Sequence, residues 1–595
     1  MSGSFRGGWR ASEGQVLSEE RQATRAIPDL SARAAELSKE MAEIEAGLDS
    51  ATSGSANNSE ISLLDGPNYQ ILTVHQPSQT IEYWLRPGIN SPDLSAIRLN
   101  PSGTRLLTIY GREMRVLEPN KVVPLAIITN VSDAQWISDL KFAAIQNYRS
   151  SEINLFNLQG EKIKTITTFL RDRATVSLIS FAHSGKLTIT GNNDGKAFST
   201  LVDDSGALTE LPPDKQHFFC GPHHLSAELY STPPKLFIEN KVVPISRSST
   251  QALAGLACSD TYLLTSLSNT KTLSRSIVAL SLNSATKNTL RLSPTQSIRF
   301  LNQSLSSAHA VPFVIYAPDM APQIKSYDGS FDRVSSSLLT TVSTISSDDG
   351  VSIPLFRLRA DGPVKGAVLI VYGSYGKSIF RGARSELLAL RKRGYEIFFA
   401  EVRGGGTDIK GKYWANAGRY SGKELTISDT IAVARRLKNT YKNVIGYGKS
   451  AGGLVMMNAA IRAPELFAGV LLENPLLDLE AALSEHLAPF AKIEVLEWGE
   501  KLAPHIARLS PMRLDIPAKI PSTAIVVGLN DDLVPPAKAY AFAQKIRAAG
   551  GTAIIMADRY AGHSGEDTDS AVRESKATVA ALIDWLGQNS HLNKD

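Results

Sequence analysis

The segment Asn443-Val-Ile-Gly-Tyr-Gly-Lys-Ser-Ala-Gly-Gly453 runs an apolar strand into a glycine-bracketed serine and then into a helix. Few local sequences restrict a fold this tightly. In Gly448-x-Ser450-x-Gly452 small residues flank Ser450, as they must where strand and helix backbones crowd a strained turn. The pattern predicts a nucleophile elbow, with the Ser450 hydroxyl exposed above a sheet and the Ala451 N–H aimed at the same point. Two other readings use these residues. A phosphate-binding loop would need a glycine at position 443, where Asn443 stands, and that reading fails. Gly446-x-Gly448-x-x-Ala451, with Glu473 closing the next strand, imitates a dinucleotide fingerprint, and residues downstream decide against it.

After Ser346-Ser-Asp-Asp-Gly350, continuous apolar runs alternate with helical segments. The runs are 366–372, 395–402, 443–447, 469–473, 523–527 and 552–556; helices are expected over 382–393, 425–438, 451–462, 536–549 and 570–586. Buried strands alternating with helices predict a mostly parallel sheet covered on both faces, with its site at the strands' carboxyl ends. Two loops there complete a constellation. Asp531 follows the fifth run in Gly528-Leu-Asn-Asp-Asp-Leu-Val534, and His563 follows the sixth in Tyr560-Ala-Gly-His-Ser-Gly565. The order Ser, Asp, His is that of an α/β-hydrolase triad, which a dinucleotide fold has no use for. In that chemistry His563 takes the proton of Ser450 and Asp531 orients the imidazole. Asp532 competes for the role of acid, its other role being to cap the helix starting near Pro536.

Upstream, short β-type runs separated by turn signals occupy residues 61 to about 339, for example 95–110, 176–190 and 261–266. Their recurrence suggests a β-propeller of about six or seven small blades, with a pair of β-sandwiches as the alternative. Residues 1 to about 27 read as disordered. Asp29 then caps a helix through Asp49 whose Leu30, Ala34, Leu37, Met41, Ile44 and Leu48 form a short heptad seam, expected to pack onto its own chain. Ala51 to Glu60 reads as a linker. The expected domains are 1–60, 61–340 and 341–595.

The 595 residues, 43% hydrophobic and 20% charged, are too many for one core and too ordinary in composition for a fibrous or disordered chain. A net charge of +5 from interspersed residues does not argue for nucleic acid. Neither a secretory signal nor a membrane span is evident. Cys220 and Cys258 form no Cys-x-x-Cys and are read as inert thiols, with no disulfide framework and no metal site. A cytoplasmic location follows.

The segments Val371-Tyr-Gly-Ser-Tyr-Gly376, Val402-Arg-Gly-Gly-Gly406, Gly448-Lys-Ser-Ala-Gly-Gly453 and Arg462-Ala-Pro-Glu-Leu-Phe467 resemble the prolyl oligopeptidase family of serine peptidases, closest in flavour to oligopeptidase B. Specific similarity covers about residues 345 to 586; the N-terminal part is similar in architecture only, a propeller lid over a hydrolase domain. The resemblance implies that Tyr372 donates its hydroxyl to the oxyanion together with the Ala451 N–H. It implies also that Glu494 falls where basic-specific members keep an acidic residue, which would favour Lys or Arg at P1. Their second acid is replaced by Leu496, and Leu533 stands where proline-specific members place an arginine. Neither pocket is complete, and Glu494 solvated at the surface is the other reading. Arg403 is a tentative substrate contact, more in keeping with a structural role in a tight loop.

The expected activity is hydrolysis of short peptides through an acyl-enzyme, without metal or organic cofactor, by a monomer or homodimer that binds neither nucleic acid nor membrane. A propeller shorter than the family norm would suit a specialised peptide, to be matured, cleaved or cyclised. A carboxylesterase and a catalytically inert propeller interaction protein are the alternatives; the inert protein predicts a broken triad.

Overall fold

A computed structural model describes residues 13–55 and most of 61–589; outside it lie, among shorter loop segments, 86–93, 301–309, 485–493 and 564–568. The chain divides into two compact units, one of residues 1–48, 317–320 and 337–595, the other of 49–316 and 321–336.

The second unit is all β. Seven small antiparallel sheets follow one another along the chain, the first and last of three strands and the rest of four among the described residues. Each sheet is a meander. In several successive sheets the first strand of one lies against the first strand of the next, as for residues 94–99 beside 131–136 and 131–136 beside 174–179. This is a propeller, in keeping with the expected six or seven blades. Its turns carry local polar chemistry. Asn100 Oδ1, for instance, accepts the N–H groups of Thr104 and Arg105 at 2.7 and 2.8 Å, which closes the hairpin between residues 94–99 and 106–110.

The inert-thiol reading is corrected here. Cys220 and Cys258 form a disulfide that joins two neighbouring sheets across 38 residues. Each cysteine ends the first strand of its sheet, and propeller geometry brings such strand ends together although no sequence motif links them. A cytoplasmic location draws no support from these cysteines. Among the described residues no helix is long and apolar enough to cross a membrane.

The other unit holds one eight-stranded sheet: β1 (Thr340–Ser346), β2 (Ser352–Leu358), β3 (Gly366–Val371), β4 (Tyr395–Ala400), β5 (Val444–Lys449), β6 (Gly469–Glu473), β7 (Ser522–Gly528) and β8 (Ala553–Asp558). Their order is β1-β2-β4-β3-β5-β6-β7-β8, antiparallel through β2 and parallel from β4 onward. Every residue of β3, β4 and β7 is buried, as continuous apolar runs require. This is the expected α/β-hydrolase sheet.

Helices α1 (Glu13–Ala26) and α2 (Leu30–Ser55) precede the propeller, yet pack onto this sheet unit. The expectation of disorder before residue 27 fails over α1. Val16, Glu19, Ala23 and Ile27 share one buried face against β8. The period is masked by Glu19, a charged residue on that face whose carboxylate takes a bidentate pair from Arg547 at 2.8 and 2.6 Å. Residues 1–12 and 56–60 lie outside the described residues. In α2 Leu30, Leu37 and Met41 are buried, while Glu45 accepts from Ser385 and Arg573 at 2.6 and 2.7 Å. The heptad seam thus packs on its own chain. Asp29 holds Arg33 at 2.6 Å, and α2 continues through the expected linker to Ser55.

Peptide mapping without reductant is expected to recover a cross-linked Cys220–Cys258 peptide. Replacing both cysteines by alanine should lower stability of the propeller by about 2–4 kcal/mol, read by denaturant unfolding.

Candidate active site

β5 enters the elbow at Lys449, Ser450 turns the chain at φ 54°, and Ala451 begins α5 (Ala451–Arg462). A positive φ on serine is a strained backbone, and its neighbours show why no larger residues fit. A Cβ on Gly448 would collide with the Gly452 carbonyl, and one on Gly452 would lie 2.5 Å from the Val371 carbonyl oxygen at the end of β3.

The three residues expected to act together do meet. His563 Nε2 lies 3.0 Å from Ser450 Oγ, and its Nδ1 lies 2.7 Å from Asp531 Oδ2. The Asp531 carboxylate is buried, and its other oxygen accepts the N–H groups of Leu533 and Val534 at 2.9 and 2.8 Å. Those bonds fix the carboxylate so that one oxygen is left for the imidazole. Asp532, the competing acid, lies outside the described residues. The chemistry open to this chain of hydrogen bonds is removal of the serine proton by the imidazole.

Tyr372 follows β3, and its side chain lies beside that of Ser450. Burial, reinforced by the charges of Glu494 and Glu497, pushes its phenol far above the usual range, so it stays a proton donor. Ala451, first residue of α5, has an N–H with no acceptor inside the helix. The loop carrying Tyr372 is anchored from below. The fully buried Lys423 on α4 (Lys423–Lys438) donates to the Gly373 carbonyl at 2.8 Å and to Ser374 Oγ at 3.1 Å, and pairs with Glu497 at 2.5 Å. Sequence reasoning missed this lysine, because nothing local marks a partner 74 residues away.

Glu494 is not solvated. Its carboxylate accepts from Tyr375 Oη at 2.8 and 2.9 Å and from Trp498 Nε1 at 2.5 Å, beneath a Tyr375–Trp498 edge contact of 6.1 Å. Burial raises its carboxyl to about 7, the nearby Glu497 adding to the shift, while the charge of His563 opposes it. Residues 494–498 are helical, and Leu496 is 45% exposed on the opposite side from Glu494, so the two do not share a pocket. Leu533 lines a small apolar recess with Leu476, Ala482 and Val534.

Arg403 is engaged elsewhere. Its three guanidinium nitrogens bond Asp429, Asp349 and Ser347, and it is 5% exposed. The tentative substrate contact therefore gives way to a structural one. Gly404 and Gly405 after it press against the Tyr372 loop, where a Cβ on Gly404 would strike the Gly373 carbonyl.

A sequence model of the prolyl oligopeptidase family matches residues 381–590. An uncharacterised peptidase of Sinorhizobium fredii is 31% identical over 273 residues, covering 41% of this chain and 37% of that protein. Protease 2 of Moraxella lacunata is 28% identical over 255 residues, 40% of this chain and 36% of that protein. The matched segment thus spans little more than a third of these relatives. Solved structures match over nearly the whole chain at low identity. Oligopeptidase B from Leishmania major has a TM-score of 0.73 at 16% identity, covering 98% of this chain and 93% of that one. Prolyl oligopeptidase B from Galerina marginata, bound to a 35mer hydrolysis and macrocyclization substrate, has 0.72 at 18%, covering 97% and 94%. The chain carries a prolyl oligopeptidase family domain, in a fold it shares with oligopeptidase B and the prolyl oligopeptidases.

Proposed function

We propose that the chain is a serine oligopeptidase that cleaves peptide bonds in short peptides through an acyl-enzyme on Ser450. One observation carries the reading: a single imidazole, His563, spans Asp531 at 2.7 Å and Ser450 at 3.0 Å. Ser450 Oγ attacks the scissile carbonyl while His563 Nε2 takes its proton. Asp531 holds the tautomer with Nδ1–H and stabilises the imidazolium. The leaving amine takes the proton back from His563, and water repeats the sequence on the acyl-enzyme. The developing oxyanion is met by the Tyr372 hydroxyl and the Ala451 N–H, donors whose bonds strengthen as the negative charge grows.

Glu494 supports a preference for Lys or Arg at P1. It is a half-buried carboxylate whose bonded partners are neutral donors, so a cationic side chain would complete it with a charge-assisted pair. The resemblance to basic-specific members, which keep an acidic residue at this position, points the same way, and the propeller favours peptides over esters by analogy of fold. A second reading follows from the Galerina neighbour and its macrocyclization substrate. Attack of a peptide amine instead of water on the same acyl-enzyme would cyclise the product.

In a mass-spectrometric digest of a mixed peptide library, wild type is expected to cleave and Ser450→Ala to leave every peptide intact while retaining its fold. Tyr372→Phe should slow acylation by a factor on the order of 10 to 1000, as loss of an oxyanion donor does. An unchanged rate in either variant removes that residue from the mechanism.

The Glu494 carboxyl is raised to about 7, so it is neutral below that pH and charged above it. The ratio of kcat/KM for Arg over Leu at P1 should therefore rise as pH passes through about 7, a ratio in which titration of His563 cancels. Glu494→Gln should flatten it. Equal pH profiles for the two substrates would make Glu494 a bystander.

A further inference from the structure

Asn474 lies one residue beyond β6, 7% exposed, with a φ of 42° that asparagine tolerates better than most residues. Its amide is used at both ends. Oδ1 accepts the Gly528 N–H at 2.8 Å; Nδ2 donates to the Gly562 carbonyl at 3.3 Å and to the His563 carbonyl at 3.2 Å. Gly528 ends β7 and its own carbonyl accepts the Asp531 N–H at 3.1 Å. The main chain beside Asn474 reaches the nucleophile as well, because the Glu473 carbonyl accepts the Ser450 N–H at 2.9 Å. One buried side chain therefore ties the His563 loop to the base of the Asp531 loop, at a point adjoining the elbow. The residue type is demanding. An acceptor must face an N–H while a two-proton donor faces two carbonyls, which a side-chain amide provides and a carboxylate or hydrocarbon does not.

We propose that Asn474 is a positioning residue that holds His563 in register with Asp531 and Ser450, an inference that rests on the serine peptidase reading. Asn474 does not touch the reacting atoms. It sets where the imidazole is held, and misplacement of a catalytic group by a fraction of its hydrogen-bond length costs rate without loss of binding. The Asp531 and Glu494 carboxylates both bear on His563 and stay in place in either variant, while Asn474→Asp adds a further carboxylate beside the histidine loop that Asn474→Ala does not.

The test titrates Ser450 with a serine-directed fluorophosphonate and reads single-turnover acylation per titrated site across pH. It compares wild type, Asn474→Asp and Asn474→Ala. Asn474→Asp keeps the acceptor for Gly528 and loses both donors to the histidine loop. Its acylation rate per site should fall about 10- to 100-fold, with KM within about twofold of wild type. Asn474→Ala, which loses all three bonds, should do the same. A merely structural role would lower the melting temperature and the number of titratable sites, leaving rate per site at its wild-type value. That outcome in either folded variant overturns the proposal. Failure of wild type to react at Ser450 removes the peptidase reading and the proposal with it, a result distinct from wild-type reaction with indifferent variants.

Discussion

The convergence of β3, β5 and α5 on Ser450 is the constraint on which the rest of the catalytic unit depends. A serine at φ 54° carries about 1–3 kcal/mol of backbone strain that its surroundings must offset. They do so by bonding both of its peptide groups. Its N–H meets the Glu473 carbonyl at 2.9 Å, and its carbonyl accepts the N–H groups of Gly453 and Leu476 at 2.9 and 3.0 Å. Because the turn admits no Cβ at Gly448 or Gly452, β3 can end within contact of the helix, and that brings Tyr372 to the serine. The central position of β5 between β3 and β6 is thus the same fact as the composition of the site.

Carboxylates in this unit are tuned by what surrounds them. Glu473 is half-buried, and desolvation alone would raise it, but Lys449 at 2.5 Å and the Tyr447 hydroxyl outweigh that and pull it down to about 2. Glu494, desolvated among neutral donors, moves the opposite way to about 7. Glu497 is balanced by Lys423, whose own charge burial disfavours. A cation that reached Glu494 would supply what Lys449 already supplies to Glu473. Of these three carboxylates, Glu494 is the one that makes no ion pair among the described residues.

Much of this was legible from local pattern. The parallel strands are continuous apolar runs and the elbow is a short motif, so β5, α5 and the Ser450, Asp531 and His563 loops could be placed from sequence alone. β1 was not placed because its exposed polar residues break the apolar run, and β2 because its run is only the four residues Ile353 to Phe356 and holds Pro354. Glu19 hid α1 in the same way. The cystine and the Lys423–Glu497 pair were illegible for another reason: each joins residues far apart in the chain, and only the closed fold makes them neighbours. Asn474 reads in sequence as an ordinary loop residue, since its partners, the Gly528 N–H and the Gly562 and His563 carbonyls, lie far along the chain.

The two N-terminal helices have a consequence for how the molecule comes into being. Their partners Arg547, Arg573 and Gln588 belong to the last two helices of the same unit, with the whole propeller between in sequence. Thermodynamically the insertion is mild, because the entropy of closing a loop grows by only about 0.6 kcal/mol per doubling of its length. In time it is severe. On the ribosome α2 emerges with Leu37 and Met41 uncovered and must wait, while several hundred residues are made, for the surface that buries them. The catalytic unit is in this sense a clasp whose first half is made long before its second.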